Sequence, residues 1–148
     1  SICFGENLTL DAANIGDVYL WNTGATTQTI TVDSAGSYFV RVTNANGCSA
    51  SDTINVSLNP QPIVNLGSDT SICFGASLSL NAQNVGDAYL WNNGATSQTI
   101  TIDSAGTYSV KVTNANGCSS SDTINVGINP LPVVNLGNDT SICFGASL

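Results

Sequence analysis

The 148-residue sequence has no histidine and no methionine, and its only bases are Arg41 and Lys111, set against ten acids for a net charge of −8. Without a basic surface a nucleic-acid partner is excluded, because such partners are held through neutralised phosphates. Without histidine, and with two bases in all, no serine or cysteine has a base to activate it, so the expectation is a non-catalytic chain. No C-x-x-C pair accompanies the five cysteines, which leaves zinc and thiol-redox motifs unsupported. No run of 18 apolar residues occurs, so no helical membrane span is expected, and no export leader is visible. No segment has helical period either.

What is present is a repeat. SICFG stands at residues 1, 71 and 141, and 51 of the 70 positions in residues 1–70 match residues 71–140. A period of 70 is too long for a solenoid turn or propeller blade and suits a small β domain. The parsing is residues 1–60, a repeat lacking its first strand; 61–130, a complete repeat; and 131–148, the first strand and turn of a third. The chain begins and stops at the same phase, as a stretch of a longer array would.

Within a repeat, short apolar alternations are separated by turn formers. In residues 28–48, Ile30 and Val32 alternate with Thr29 and Thr31, Asp33-Ser34-Ala35-Gly36 turns the chain, and Tyr38, Val40 and Val42 alternate onward to Asn44-Ala45-Asn46-Gly47. From residue 61, strand A runs from Ile63 to Ile72 with a kink at Gly67-Ser68. Strand B carries Leu78, Leu80 and Ala82, strand C carries Tyr89 and Trp91, strands E and F repeat the pattern just given, and strand G carries Ile124, Val126 and Ile128. About seven short strands so spaced predict a β-sandwich. Inward positions vary little between repeats (Tyr19 and Tyr89, Trp21 and Trp91, Val32 and Ile102), while outward ones drift, as Phe39 to Ser109 and Ala50 to Ser120.

The run Asp-x-x-Gly-x-Tyr at Asp33–Tyr38, with the Trp of Val18-Tyr19-Leu20-Trp21 upstream, resembles the immunoglobulin fold, whose tyrosine corner would correspond to Tyr38 and Tyr108. The predicted class is therefore all-β, tandem immunoglobulin-like sandwiches with Trp21, Tyr38, Trp91 and Tyr108 in the core. One departure stands out. The fold's inter-sheet cysteines would fall at Val40 and near Leu10 or Ala12, so packing replaces that pin and the cysteines here do something else.

More narrowly, D-T-S-I-C-F-G, Y-L-W-N-x-G-A-T, S-A-G-x-Y and T-N-A-N-G-C-S, in order and twice, resemble Ig-like or PKD-like repeats of large Bacteroidota surface adhesins. That resemblance implies export by type IX secretion, an extracellular cell-surface location and a role in attachment or gliding. It also brings an O-glycosylation rule that Ser34, Thr53, Ser104 and Thr123 fit. Two functions are weighed: a structural module of a stalk or filament, and a ligand-binding module for glycan or protein. Loops of Gly, Asn, Ala and Thr favour the first. The partners expected are neighbouring repeats of the chain and identical chains in a filament.

The cysteines hold two phases of the repeat: Cys3, Cys73 and Cys143 at one, Cys48 and Cys118 at the other. Two per small β repeat read as a disulfide framework of an oxidising compartment. In the immunoglobulin strand order the two phases lie at opposite poles of a repeat, too far apart for a bond. The favoured pair is Cys3–Cys118, between neighbours, with Cys48 pairing backward and Cys73 and Cys143 forward. The rival is Cys3–Cys48 with Cys73–Cys118. No cofactor is expected. Calcium has candidate ligands in Asp33, Asn59 and Asp87, which stacked poles would bring together, but their ordinary reading is turn and linker residues. An isopeptide cross-link would need the lysine that position 41 lacks.

Overall fold

In the computed structural model of the chain, the described residues are 1–13, 17–138, 141 and 144. They form two sandwiches in sequence. The first holds β1 (Ile2–Cys3), β2 (Leu8–Asp11), β3 (Val18–Trp21), β4 (Thr29–Val32), β5 (Gly36–Thr43), β6 (Ser49–Val56) and β7 (Leu58–Asn59). The second holds β8 (Thr70–Cys73), β9 (Leu78–Asn81), β10 (Ala88–Trp91), β11 (Thr99–Ile102), β12 (Gly106–Thr113) and β13 (Ser119–Asn129). β13 is the continuous form of β6 plus β7. No helix among the described residues is long and apolar enough to cross a membrane.

In the second repeat one sheet has the order β10-β12-β13-β8 and the other pairs β9 with β11. All these ladders are antiparallel except β8, which runs parallel to the end of β13 with Thr70 opposite Val126. The first repeat follows suit: β3-β5-β6, β2 with β4, and β1 parallel to β7. Alternation decides which side chains meet between the sheets. Leu80, Trp91, Ile100, Ile102, Val110, Val112, Ile124 and Val126 form one core, and Ile2, Leu10, Tyr19, Trp21, Ile30, Val32, Val40 and Val56 the other.

The corner is built as the tyrosine-corner motif requires. The Tyr38 hydroxyl donates to the Ser34 carbonyl at 3.0 Å, and that of Tyr108 to the Ser104 carbonyl at 2.9 Å. Both rings are half-buried against their cores. The two tryptophans are buried, and each indole N–H finds a carbonyl, Thr27 for Trp21 and Ser97 for Trp91.

Strand A differs from expectation. Residues 63–69 are not a strand; only Thr70–Cys73 joins a ladder. Pro60 and Pro62 supply no N–H, and Gly67 sits at φ +90°, its N–H accepted by the Asn65 side chain, so the backbone leaves extended geometry there. Side chains satisfy the polar groups a ladder would otherwise take. Asn84 donates to the Ile63 carbonyl and Asp122 accepts the Leu66 N–H at 2.7 Å. Val64 and Leu66 still pack on the core. Each repeat thus has six strand positions rather than about seven, and in residues 1–60 the first is represented by Ile2–Cys3.

Candidate functional site at the joint between the repeats

The recurrent polar residues of the sequence are engaged in holding the fold. In the W-N-x-G token, Asn92 accepts the Ser109 N–H and donates to the Thr107 carbonyl, and Asn22 does the same with Phe39 and Ser37. In D-T-S-I-C, the Asp69 carboxylate accepts both the backbone and side-chain N–H of Asn125, pinning the start of β8 to β13. These bonds, side chain first, hold the Asp69 carboxyl below the usual carboxylate range. Asp11 is lowered likewise, by the Ala13 N–H and then the Gln28 amide.

One token reaches beyond its own repeat. In T-N-A-N-G-C, the Asn114 oxygen accepts the N–H groups of Asn116 and Cys118 at 3.0 and 3.1 Å, shaping the β12–β13 turn. Gly117 follows at φ +82°, a conformation a side chain would strain. The Asn114 amide then donates to the Pro60 carbonyl at 2.8 Å, tying the linker onto this turn. Beside it, Cys118 is bonded to Cys3 of the first repeat, Cα to Cα 5.4 Å. Both cysteines are buried. From the other side Gln61 donates to the Phe4 carbonyl and Asn59 to the Ser1 hydroxyl.

The joint is therefore the base of one sandwich seated on the upper turn of the next, held by one covalent bond and side-chain hydrogen bonds. The pairings Cys3–Cys48 and Cys73–Cys118 are not those of the structure, in which Cys48 and Cys73 are exposed free thiols. Within a repeat Cys118 stands just before the start of β13 and Cys73 lies opposite Asn129 at its end, which puts the two at opposite poles. Cys143 lies outside the described residues. The parts of the joint that sequence reading missed are the contacts of Asn114, Gln61 and Phe4. The available signal was the T-N-A-N-G-C run, unchanged in both repeats.

Among the described residues no three carboxylate, cysteine or histidine side chains are grouped to hold a metal. Of the calcium candidates, Asn59 donates its amide to Ser1, and Asp33 and Asp87 lie in the turns before β5 and β10. Ser34, Thr53, Ser104 and Thr123 are all exposed. Ser34 and Ser104 each lie 3.2 Å from the hydroxyl of their corner tyrosine.

A groove of about 600 Å³ opens in the first repeat, lined by Leu8, Leu10, Trp21, Tyr38, Asp52 and Ile54 among others. The corresponding surface of the second repeat is covered by Val64 and Leu66.

No protein-family model matches the sequence, and no curated protein matches it. Solved structures with a similar chain path include DIP-gamma IG1+IG2, with TM-score 0.42 and 8% identity over 86% of this chain and 91% of that one. The insect immune protein hemolin gives TM-score 0.43 and 13% identity over 86% of this chain and 44% of that one. Bacteroides ovatus SGBP-B, solved with a mixed-linkage heptasaccharide, gives TM-score 0.29 and 16% identity over 86% and 43%. None of these carries an argument about function. The strand order and the two tyrosine corners make the chain a tandem of immunoglobulin-like β-sandwiches.

Proposed function

We propose that the chain is a structural module of an extracellular bacterial surface filament or adhesin stalk, its repeats setting length and stiffness. The observation that carries this reading is the Cys3–Cys118 bond, which spans two repeats instead of pinning one. A staple inside a sandwich would stabilise that sandwich alone; a staple across a joint restrains bending. It also reroutes load. Tension applied at the two ends passes from Cys3 directly to Cys118, so the intervening sequence, a separation of 115 residues, is shielded. The bond supports an oxidising, extracellular location. The engagement of the recurrent asparagines and aspartates within the fold supports a non-catalytic role. The resemblance to Bacteroidota adhesin repeats is the basis for the bacterial surface, and under its O-glycan rule Ser34, Thr53, Ser104 and Thr123 are proposed acceptors.

Single-molecule extension of the chain tests the load path. With the disulfide intact, full unfolding should lengthen the chain by roughly 380 Å less than after reduction, at about 3.3 Å per residue withheld. Equal lengthening in both states would remove the basis of the stalk reading. Saturable binding on a glycan array would favour the alternative, a ligand-binding module.

A further inference from the structure

The joint closes over its own disulfide. Cys3 is 6% exposed and Cys118 1%. The linker lies directly on the bond. The Asn59 carbonyl oxygen is 3.9 Å from the Cys118 sulfur, and the carbonyl of the next residue, Pro60, takes the Asn114 amide at 2.8 Å. Asn114 grips both sides of the joint at once, because its oxygen accepts the Cys118 N–H at 3.1 Å. On the Cys3 side, Gln61 donates to the carbonyl of Phe4 at 3.0 Å, and the Glu6 carboxylate accepts the Cys3 N–H at 3.2 Å.

A thiolate breaks a disulfide by approaching one sulfur in line with the bond, so access decides the rate. A bond under the linker is closed to that approach while the linker stays seated. The seat is a few side-chain hydrogen bonds outside both cores, and such contacts open more readily than a packed sandwich does.

We propose that the joint is a guarded redox latch. Asn114, by seating Pro60, is the positioning residue that keeps the Cys3–Cys118 bond from soluble dithiols, and unseating the linker exposes the bond with both sandwiches still folded. The reaction is exchange with a small dithiol. One reagent thiolate attacks a protein sulfur, the protein S–S bond breaks, and a mixed disulfide forms as the other cysteine leaves and takes a proton. The second reagent thiol gives up its proton, closes on the first and displaces the remaining cysteine. Two electrons and two protons pass to the protein, and the reagent leaves as a cyclic disulfide. The joint is then held by hydrogen bonds and the linker alone. This goes beyond the stalk reading, which concerns what the bond restrains and not what protects it.

The test exposes the 148-residue chain to dithiothreitol after its free thiols are capped with iodoacetamide. Peptide mapping then follows the release of Cys3 and Cys118. Release should be roughly a hundredfold or more slower in native buffer than in concentrated urea. Asn114→Asp keeps the acceptor that shapes the turn and removes the donor to Pro60. It should speed native release roughly three- to tenfold, the shift in open joints for one lost hydrogen bond. Gln61→Ala, which touches neither core, should speed it in the same sense. Ile124→Val loosens the second core instead and should leave the native rate unchanged. In urea all four chains should react alike. Native release as fast as in urea overturns the proposal, and so does an Asn114→Asp chain that reacts at the parent's rate. An Ile124→Val chain as fast as Asn114→Asp also overturns it, because the bond would then be reached by unfolding the sandwich. The extension measurement reads the length withheld by the intact bond, so the stalk reading is judged separately.

Discussion

Ile54 and Ile124 occupy the same position on the last strand of their repeats, yet Ile54 is 47% exposed and Ile124 only 2%. The difference is Val64 and Leu66, which pack on the core of the second repeat and have no counterpart among residues 1–60. Ile124→Ala should therefore cost about 2–5 kcal/mol, the range for emptying a buried aliphatic site. Ile54→Ala should cost well under half of that, since much of its surface is already in water. Chemical denaturation of the two variants measures both, and equal losses would contradict the burial difference.

Trp91 and Trp21 anchor the two cores. Either alanine substitution should destabilise its own repeat by about 3–5 kcal/mol. Because the cores are separate clusters, the untouched repeat should keep its own transition. Tryptophan fluorescence follows this directly, since each variant retains a single indole. A Trp91→Ala chain that melts like the parent would show that Trp91 is not the centre of the second core.

Asn44 and Asn114 make the same two turn bonds, but only Asn114 also donates to Pro60. Asn114→Ala should thus cost more than Asn44→Ala by about 0.5–1.5 kcal/mol, the net worth of one hydrogen bond. Urea denaturation of the two single variants, with the disulfide intact, isolates that difference. Identical losses would mean that the linker bond adds nothing.

Removing the staple by Cys3→Ser with Cys118→Ser should lower stability by about 2–5 kcal/mol, in the range for loss of a native disulfide. The strand content seen by circular dichroism should persist, because each repeat has its own core. Loss of both sandwiches on reduction would mean that the joint, rather than the cores, holds the fold.

Acid should weaken the second repeat through Asp69. Its folded carboxyl lies below the ordinary aspartate value, so the unfolded chain binds the proton more readily. The contribution is present above about pH 4 and is lost as pH falls through the lowered folded value. Asp11 acts in the same sense in the first repeat. With no histidine in the chain, no histidine step is expected between pH 5 and 8. Melting temperature against pH from 2 to 8 should fall only on the acid side, and Asp69→Asn should flatten that fall.

Much of this architecture can be read locally. Two-residue alternation named the inward residues of strands B, C, E, F and G, because a side chain's face depends only on its place along an extended backbone. The Asp-x-x-Gly-x-Tyr run named the corner for the same reason: the Tyr38 hydroxyl reaches a carbonyl four residues back, whatever the rest of the chain does. Strand A was misread where local pattern and long-range contact part company. Residues 63–66 look like a strand, but their backbone is held by side chains from Asn84 and Asp122, 21 and 56 residues away. The joint is likewise a property of tertiary structure. The sequence reading reached the Cys3–Cys118 pair only by way of strand direction, and the structure holds that pair; the seating of Pro60 on the Asn114 turn beside it was visible only in the tertiary structure. The exposure of Ile54 cannot be told from its own strand, since Ile54 and Ile124 lie in identical local sequence and differ only in what packs over them.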